Sequence, residues 1–434
     1  MVDVSINGAA SDNKTKDSWK TIVIGGMGQG GACRNMGTSC SDCVKTPITN
    51  LGYSSYFALD VTDPTNPTLL WEFSDPELGF STSGPTVVRI GDSTKKGKWF
   101  ALFASGPTGP IDTTYHQFMG KSDQNFKIFV VDLKTGVKER TIDTGIPEAF
   151  GGSFSNGTLD SDRGDSNSSG FYSDNVIYVG YTKKSGTTWT KGGVYRIITK
   201  ESQSPGDWIH SKVIDDTGPV TSAITKLQDR RHGNLWLYFG TGRFFYKLDA
   251  KTSVTLDSAD DQQAIYGIKE PCYSVTTNTI DTTCSSSVSA GFLSDRTTTI
   301  STVEPAIGWK INLEPTNTST GSKAERVITD PLAIFSGVVF FTSLSPSADL
   351  CALGGNTFIW AVNYSTGAQP SALLGKALLQ VSTGEIKELT LATAFSEKGG
   401  RRSVAISGVP PRGQGLAVLV APRPLRRILH IKEK

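Results

Sequence analysis

Residues 57–64 read FALDVTDP, and three later stretches follow the same order: FVVDLKTG (129–136), YKLDAKTS (246–253) and WAVNYSTG (360–367). Each sets an aromatic residue, an apolar residue two positions on, then Asp or Asn, then a turn. Residues i and i+2 of a strand share one face, so the aromatic and apolar side chains point together into a core. The Asp or Asn side chain then closes the strand in an Asx turn. VYRIITKE (194–201) reads as a degenerate fifth copy.

The surrounding sequence has the same texture. Short apolar-aromatic runs such as KWFALFAS, KIFVVDL, NVIYVGY, LWLYFGT and GVVFFTSL end in Gly, Asp, Asn, Pro or Ser. Helical periodicity is scarce, and its best stretch, GPVTSAITKLQDRRHG (218–233), is interrupted by β-branched residues. The chain is read as all-β. At 434 residues it exceeds one ordinary compact domain unless it is a repeat fold. The strand-turn unit recurs at spacings longer than the roughly 40–50 residues of a compact blade, which predicts a modified β-propeller with long loop insertions; paired sandwiches are the alternative. Composition places the inserts at 107–125, 151–173, 251–302 and 314–323.

Charge excludes little beyond a strongly basic or acidic partner: 43 Lys and Arg balance 41 Asp and Glu, for a net charge of +2. The six cysteines stand at 33, 40, 43, 272, 284 and 351, with no C-x-x-C-H for a covalent haem. In a chain this rich in Ser, Thr, Asn and Gly, disulfides outweigh a zinc site, and Cys272 with Cys284 is the local pair expected. Neither a signal-peptide pattern at the start nor an apolar run near 18 residues is found.

Several motifs carry chemistry at first sight. Gly26, Gly28 and Gly31 fall in G-x-G-x-x-G spacing after TIVI. A dinucleotide turn must open a helix, and ACRNMGTSCSDC has no apolar stripe, so a glycine turn after a strand is the better reading. The loop GTLDSDRGDSNSSGFYSDN offers Asp160, Asp162, Asp165 and Asp174 as metal ligands. Short oxygen side chains alternating on a glycine-bearing loop suit Ca²⁺, which takes about 6–8 oxygens. Within it, Arg163-Gly164-Asp165 is a weak match to a receptor tripeptide. TKKSGTTW (182–189) is a single degenerate Asp-box turn, and the basic end APRPLRRILHIKEK reads as a final strand, RILHI, among solvated charges. No nucleophile-base pair or carboxylate dyad emerges from spacing.

From Trp19 onward the order WKT, strand, GGMGQGG, then ALDVTDP, WEF, GP and GKW resembles the C-terminal β-propeller of the PilC/PilY family of type IV pilus tip-associated proteins. GPVTSAITKLQDRRHGNLWLYFGTGRFF, QAIYGIKEP and ERVITDPLAIFSGVVFFTSLSPSADLCALGGNTFIWAVNYSTG extend that resemblance nearly to Lys434. It implies residues 19–434 as the propeller, residues 1–18 as a remnant of an upstream region or first blade, and an incomplete first blade. It also implies a calcium loop of the form D-x-D-x-D/N-x-x-x-D before a strand. Asp160 and Asp162 match its first two places, Gly164 and Ser168 fall at the third and last, and Asp165 and Asp174 are the substitutes.

The function implied is a non-enzymatic pilus biogenesis factor and adhesin module that supports assembly by countering retraction, modulated by calcium. Its partners would be pilin or minor pilin subunits and a host or surface receptor, at the extracellular cell surface. The alternatives are a quinone-dependent propeller dehydrogenase, suggested by the turn repeats but lacking an adjacent Cys-Cys pair, and a glycan-binding propeller.

Overall fold

A computed structural model describes the chain except residues 30–48, 92–93, 109–119, 164–172, 244–259, 335–336, 350–353, 371–372, 396, 409 and 420–434. Cys33, Cys40, Cys43, Cys351, Gly31, Asp165, YKLDAKTS and RILHI therefore lie outside the described residues.

The expected turns are present. Asp60 ends the strand Ser55–Asp60 and its Oδ1 accepts from the Thr62 amide at 2.9 Å. Asp132 ends Lys127–Asp132 and accepts from the amides of Lys134 (3.0 Å) and Thr135 (2.9 Å). Asn363 ends Gly355–Asn363 and accepts from Ser365 and Thr366, both at 3.1 Å. The degenerate copy uses a hydroxyl instead, with Thr199 Oγ1 accepting from the Glu201 amide at 3.1 Å.

Most strands pair antiparallel with their neighbours in the chain, and sheets five and six interleave, Arg402–Ser407 returning to sheet five after two strands of sheet six. Sheet one joins Val2–Ser5, Trp19–Gly26, Ser55–Asp60 and Thr68–Ser74; sheet two joins Thr86–Ile90, Lys98–Ala104, Lys127–Asp132 and Lys138–Asp143. Sheet three is built on Val176–Ser185, Thr188–Ile198 and Ile209–Thr217, with Thr158–Leu159 at its entry. Sheet four is built on Thr225–Asp229, Asn234–Gly240, Ala264–Lys269 and Gly308–Asn312. Sheet five has Val338–Pro346, Gly355–Asn363 and Arg402–Ser407 at its centre, and sheet six has Lys376–Val381, Ile386–Thr390 and Pro411–Leu419.

Period-two alternation explains how these sheets stack. In Lys98–Ala104, Phe100, Leu102 and Ala104 enter the apolar cluster shared with sheet three, whereas Ala101 and Phe103 enter the one shared with sheet one. In sheet four, Leu235, Leu237 and Phe239 face sheet three, and Trp236 and Tyr238 face sheet five. Sheet five turns Phe341 and Val339 to sheet four and Phe340 and Val338 to sheet six. A strand buried on both faces must be apolar throughout, and these runs read so for that reason. The result is the blade-on-blade order of a modified β-propeller, in which every described core joins consecutive sheets.

Residues 1–18 contribute the four-residue strand Val2–Ser5, which pairs Trp19 to Ile22 of the eight-residue strand beside it. It thus covers only half of that strand's edge. The weak helical period within 218–233, interrupted by β-branched residues, gives way to the strand Thr225–Asp229, in keeping with the all-β reading. One sequence reading needs correction. The stretch 251–302 is not purely an insert: Ala264–Lys269 is a buried inner strand of sheet four, masked in composition by its polar flanks.

Candidate metal site and its relatives

The acidic loop leaves sheet three at the short strand Thr158–Leu159 and returns at Val176. Ser161 is fully buried, and its amide and hydroxyl both bond Asn175 Oδ1. Asp160 and Asp162 flank Ser161, close enough that the charge of Asp162 acts on the Asp160 carboxyl.

Among the described residues, neither carboxylate oxygen of Asp160, nor Oδ1 of Asp162, has a hydrogen-bond partner, although all three are shielded from solvent. Burial first, then the adjacent Asp162 carboxyl and its charge, then the charges of Asp174 and Glu201, push Asp160 up to about 8. Crowded carboxylates of this kind must share a proton or meet a cation. These orphaned oxygens fit a hard divalent ion.

The other residues stand further off. Asp174 Oδ2 accepts from the Arg89 amide at 2.8 Å, and the Asp174 amide donates to the Arg89 carbonyl at 2.9 Å. Burial raises Asp174 to about 6 against the pull of that bond and of the Lys226 charge. Lys226 is itself pushed down to about 8 by burial. Asp165 lies outside the described residues. Among the described residues no three acidic, His or Cys side chains close on one point that could hold an ion.

Glu201 was not legible as a member of this group. It comes from the turn after Thr188–Ile198, where Lys200 and Glu201 both have φ of 53°. Asn175 Nδ2 donates to Glu201 Oε1 at 2.7 Å, and burial followed by the Asp162 charge raises its carboxyl. The one sequence signal was the degenerate turn copy ending at Glu201.

The opening glycines behave as a turn: Gly26 ends a strand, and Gly28 has φ +62° and bridges Ser81. Cys272 and Cys284 are disulfide-bonded, with Cα atoms 5.5 Å apart.

Successive three- to six-stranded sheets stacked face to face, with an acidic loop at the entry to the third, define a propeller-type module. No family model matches the sequence. The chain is 24% identical over 397 residues to a type IV pilus biogenesis factor PilY1 homolog of Xylella fastidiosa, covering 87% of this chain and 26% of that protein. It is 24% identical over 447 residues to the type IV pilus biogenesis factor PilY1 of Pseudomonas aeruginosa, covering 92% of this chain and 33% of that protein. The crystal structure of the Pseudomonas aeruginosa PilY1 C-terminal domain matches with a TM-score of 0.56 and 18% identity, covering 96% of this chain and 86% of that one. The resemblance to the PilC/PilY C-terminal propeller is borne out, and the fold is the one that domain has. The chain spans between a quarter and a third of the length of these two curated relatives.

Proposed function

We propose that the chain is a non-enzymatic module of type IV pilus biogenesis. It sits at the pilus tip on the outer cell surface with pilin or minor pilin subunits as partners. There it supports assembly by countering retraction and presents an adhesive face to a host or surface receptor. The observation that carries this reading is the similarity to PilY1 biogenesis factors over 87% and 92% of the chain.

Calcium modulates the module through the loop. Asp160 and Asp162 supply the first carboxylates, with Asp165, Asp174 and Glu201 as the neighbouring acids that complete the charge. A bound ion neutralises their repulsion and orders the entry to sheet three, because a ligand that binds only the folded state stabilises it by mass action.

The test is piliation of a gene-deleted host. A strain lacking the gene is complemented with the gene including or lacking the codons for residues 19–434, with and without the retraction motor. Surface pili lost without the module and regained when retraction is abolished support the reading. Normal piliation without the module overturns it.

A further inference from the structure

Between Ala264–Lys269 and the short strand Val288–Ser289 the chain forms a hairpin of Tyr273–Ser274 and Thr279–Ile280, spanned by the Cys272–Cys284 disulfide. Tyr273 and Ile280 are buried in the core between sheets three and four. The hairpin's polar groups turn toward the acidic loop. Thr279 Oγ1 lies 2.8 Å from Ser161 Oγ, and the Ile280 amide donates to Ser161 Oγ at 3.3 Å.

Gln228, on Thr225–Asp229, stands between the two. Its Nε2 approaches the Ser161 carbonyl at 2.5 Å, Tyr273 Oη at 2.8 Å and the Asn278 carbonyl at 3.1 Å. Arg230 Nη2 adds bonds to the carbonyls of Ser161 (3.1 Å) and Arg163 (2.8 Å). Ser161 is the residue between Asp160 and Asp162, so whatever fixes it fixes the backbone from which both carboxylates spring.

We propose that Gln228 and the disulfide-closed hairpin are positioning elements that clamp Ser161 and thereby hold Asp160 and Asp162 side by side. The disulfide closes a short loop, which keeps the hairpin formed where two short strands alone would be marginal. The clamp's consequence for a divalent cation rests on the calcium reading above. A loop fixed before binding loses less entropy when the ion arrives, and its affinity rises accordingly.

Gln228→Met keeps the side-chain length and removes the bonds to Ser161, Tyr273 and Asn278. Cys272→Ser/Cys284→Ser opens the hairpin. Hydrogen exchange of amides 158–163, followed by mass spectrometry, should accelerate about tenfold or more in either variant, while the cores of sheets one and two keep their protection. The calcium concentration that half-saturates the rise in melting temperature should increase about tenfold in Gln228→Met, and Gln228→Glu should not restore it because a carboxylate cannot donate to the Ser161 carbonyl.

Unchanged exchange at 158–163 in Gln228→Met overturns the clamp, as does calcium affinity equal to wild type in both variants. If wild type shows no calcium response while both variants loosen 158–163, the calcium reading fails and the clamp stands.

Discussion

Trp71, from sheet one, packs directly against Gly136, the turn glycine that follows Asp132 in sheet two. A Cβ on Gly136 would come within 2.6 Å of Trp71 Cβ and Cγ, and Trp71 Nε1 donates to the Leu133 carbonyl at 2.8 Å. Trp309 and Gly367 repeat this between sheets four and five, with a clearance of 2.8 Å and a bond from Trp309 Nε1 to the Tyr364 carbonyl at 3.1 Å. The Asx turn that ends a strand is thus also the seat for a tryptophan of the preceding sheet.

Gly136→Ala should destabilise the protein through both its φ of +74° and the clash with Trp71. Trp71→Ala, which empties the seat, should cost about 3–5 kcal/mol. Denaturant midpoints of the two single variants and their combination decide the matter. Additive losses would show that the residues act independently.

The fully buried pair Arg196 and Glu270 should be expensive to break and cheap to replace. Glu270 Oε1 also accepts from the Cys272 amide at 2.9 Å, while Arg196 Nη2 bonds Ser211 Oγ at 2.7 Å and the Ser286 carbonyl at 3.0 Å. Arg196→Ala leaves an uncompensated buried carboxylate and should cost about 3–5 kcal/mol. Arg196→Met with Glu270→Leu should lose less than Arg196→Ala alone, measured by urea unfolding.

Acid should weaken the edge of sheet three through Asp215. Burial raises its carboxyl, but bonds from Lys183 (2.6 Å), Lys212 (2.5 Å) and the Tyr181 hydroxyl (2.6 Å) more than reverse this and hold it well below the usual range. A carboxyl depressed in the folded state adds stability above its unfolded value of about 3.9, and that stability disappears as pH falls toward the folded value. Asp215→Asn should therefore be less stable than wild type near neutral pH and lose the difference below about pH 4. Melting temperatures across that window test it; a constant gap would refute the assignment.

Chelation of calcium should destabilise wild type, by about 2.7 kcal/mol relative to a concentration a hundredfold above the dissociation constant. Asp160→Asn with Asp162→Asn should abolish that response. In chelator the double variant should match or exceed wild type, because two crowded carboxylates have been removed. A double variant that still responds to CaCl₂ would sink this prediction.

Local features were the legible ones. The turn copies at Asp60, Asp132 and Asn363 announce themselves because the acceptor and its amides lie within three residues. Asp160 and Asp162 stood out by spacing alone. The contacts that give them their setting did not, since Ser161 meets Gln228 across 67 positions and Thr279 across 118. No local pattern encodes such pairings. Ala264–Lys269 was hidden for the opposite reason: a buried strand of this length is apolar without any period to distinguish it from a short run inside an insert.

Each described core joins only neighbouring sheets, so each sheet leans on no more than the one before and the one after it. Under tension such an array behaves as links in series, each carrying the same force, so the weakest contact between neighbouring sheets gives way first. A module of this build yields sheet by sheet, spreading a pull over several rupture events in place of one.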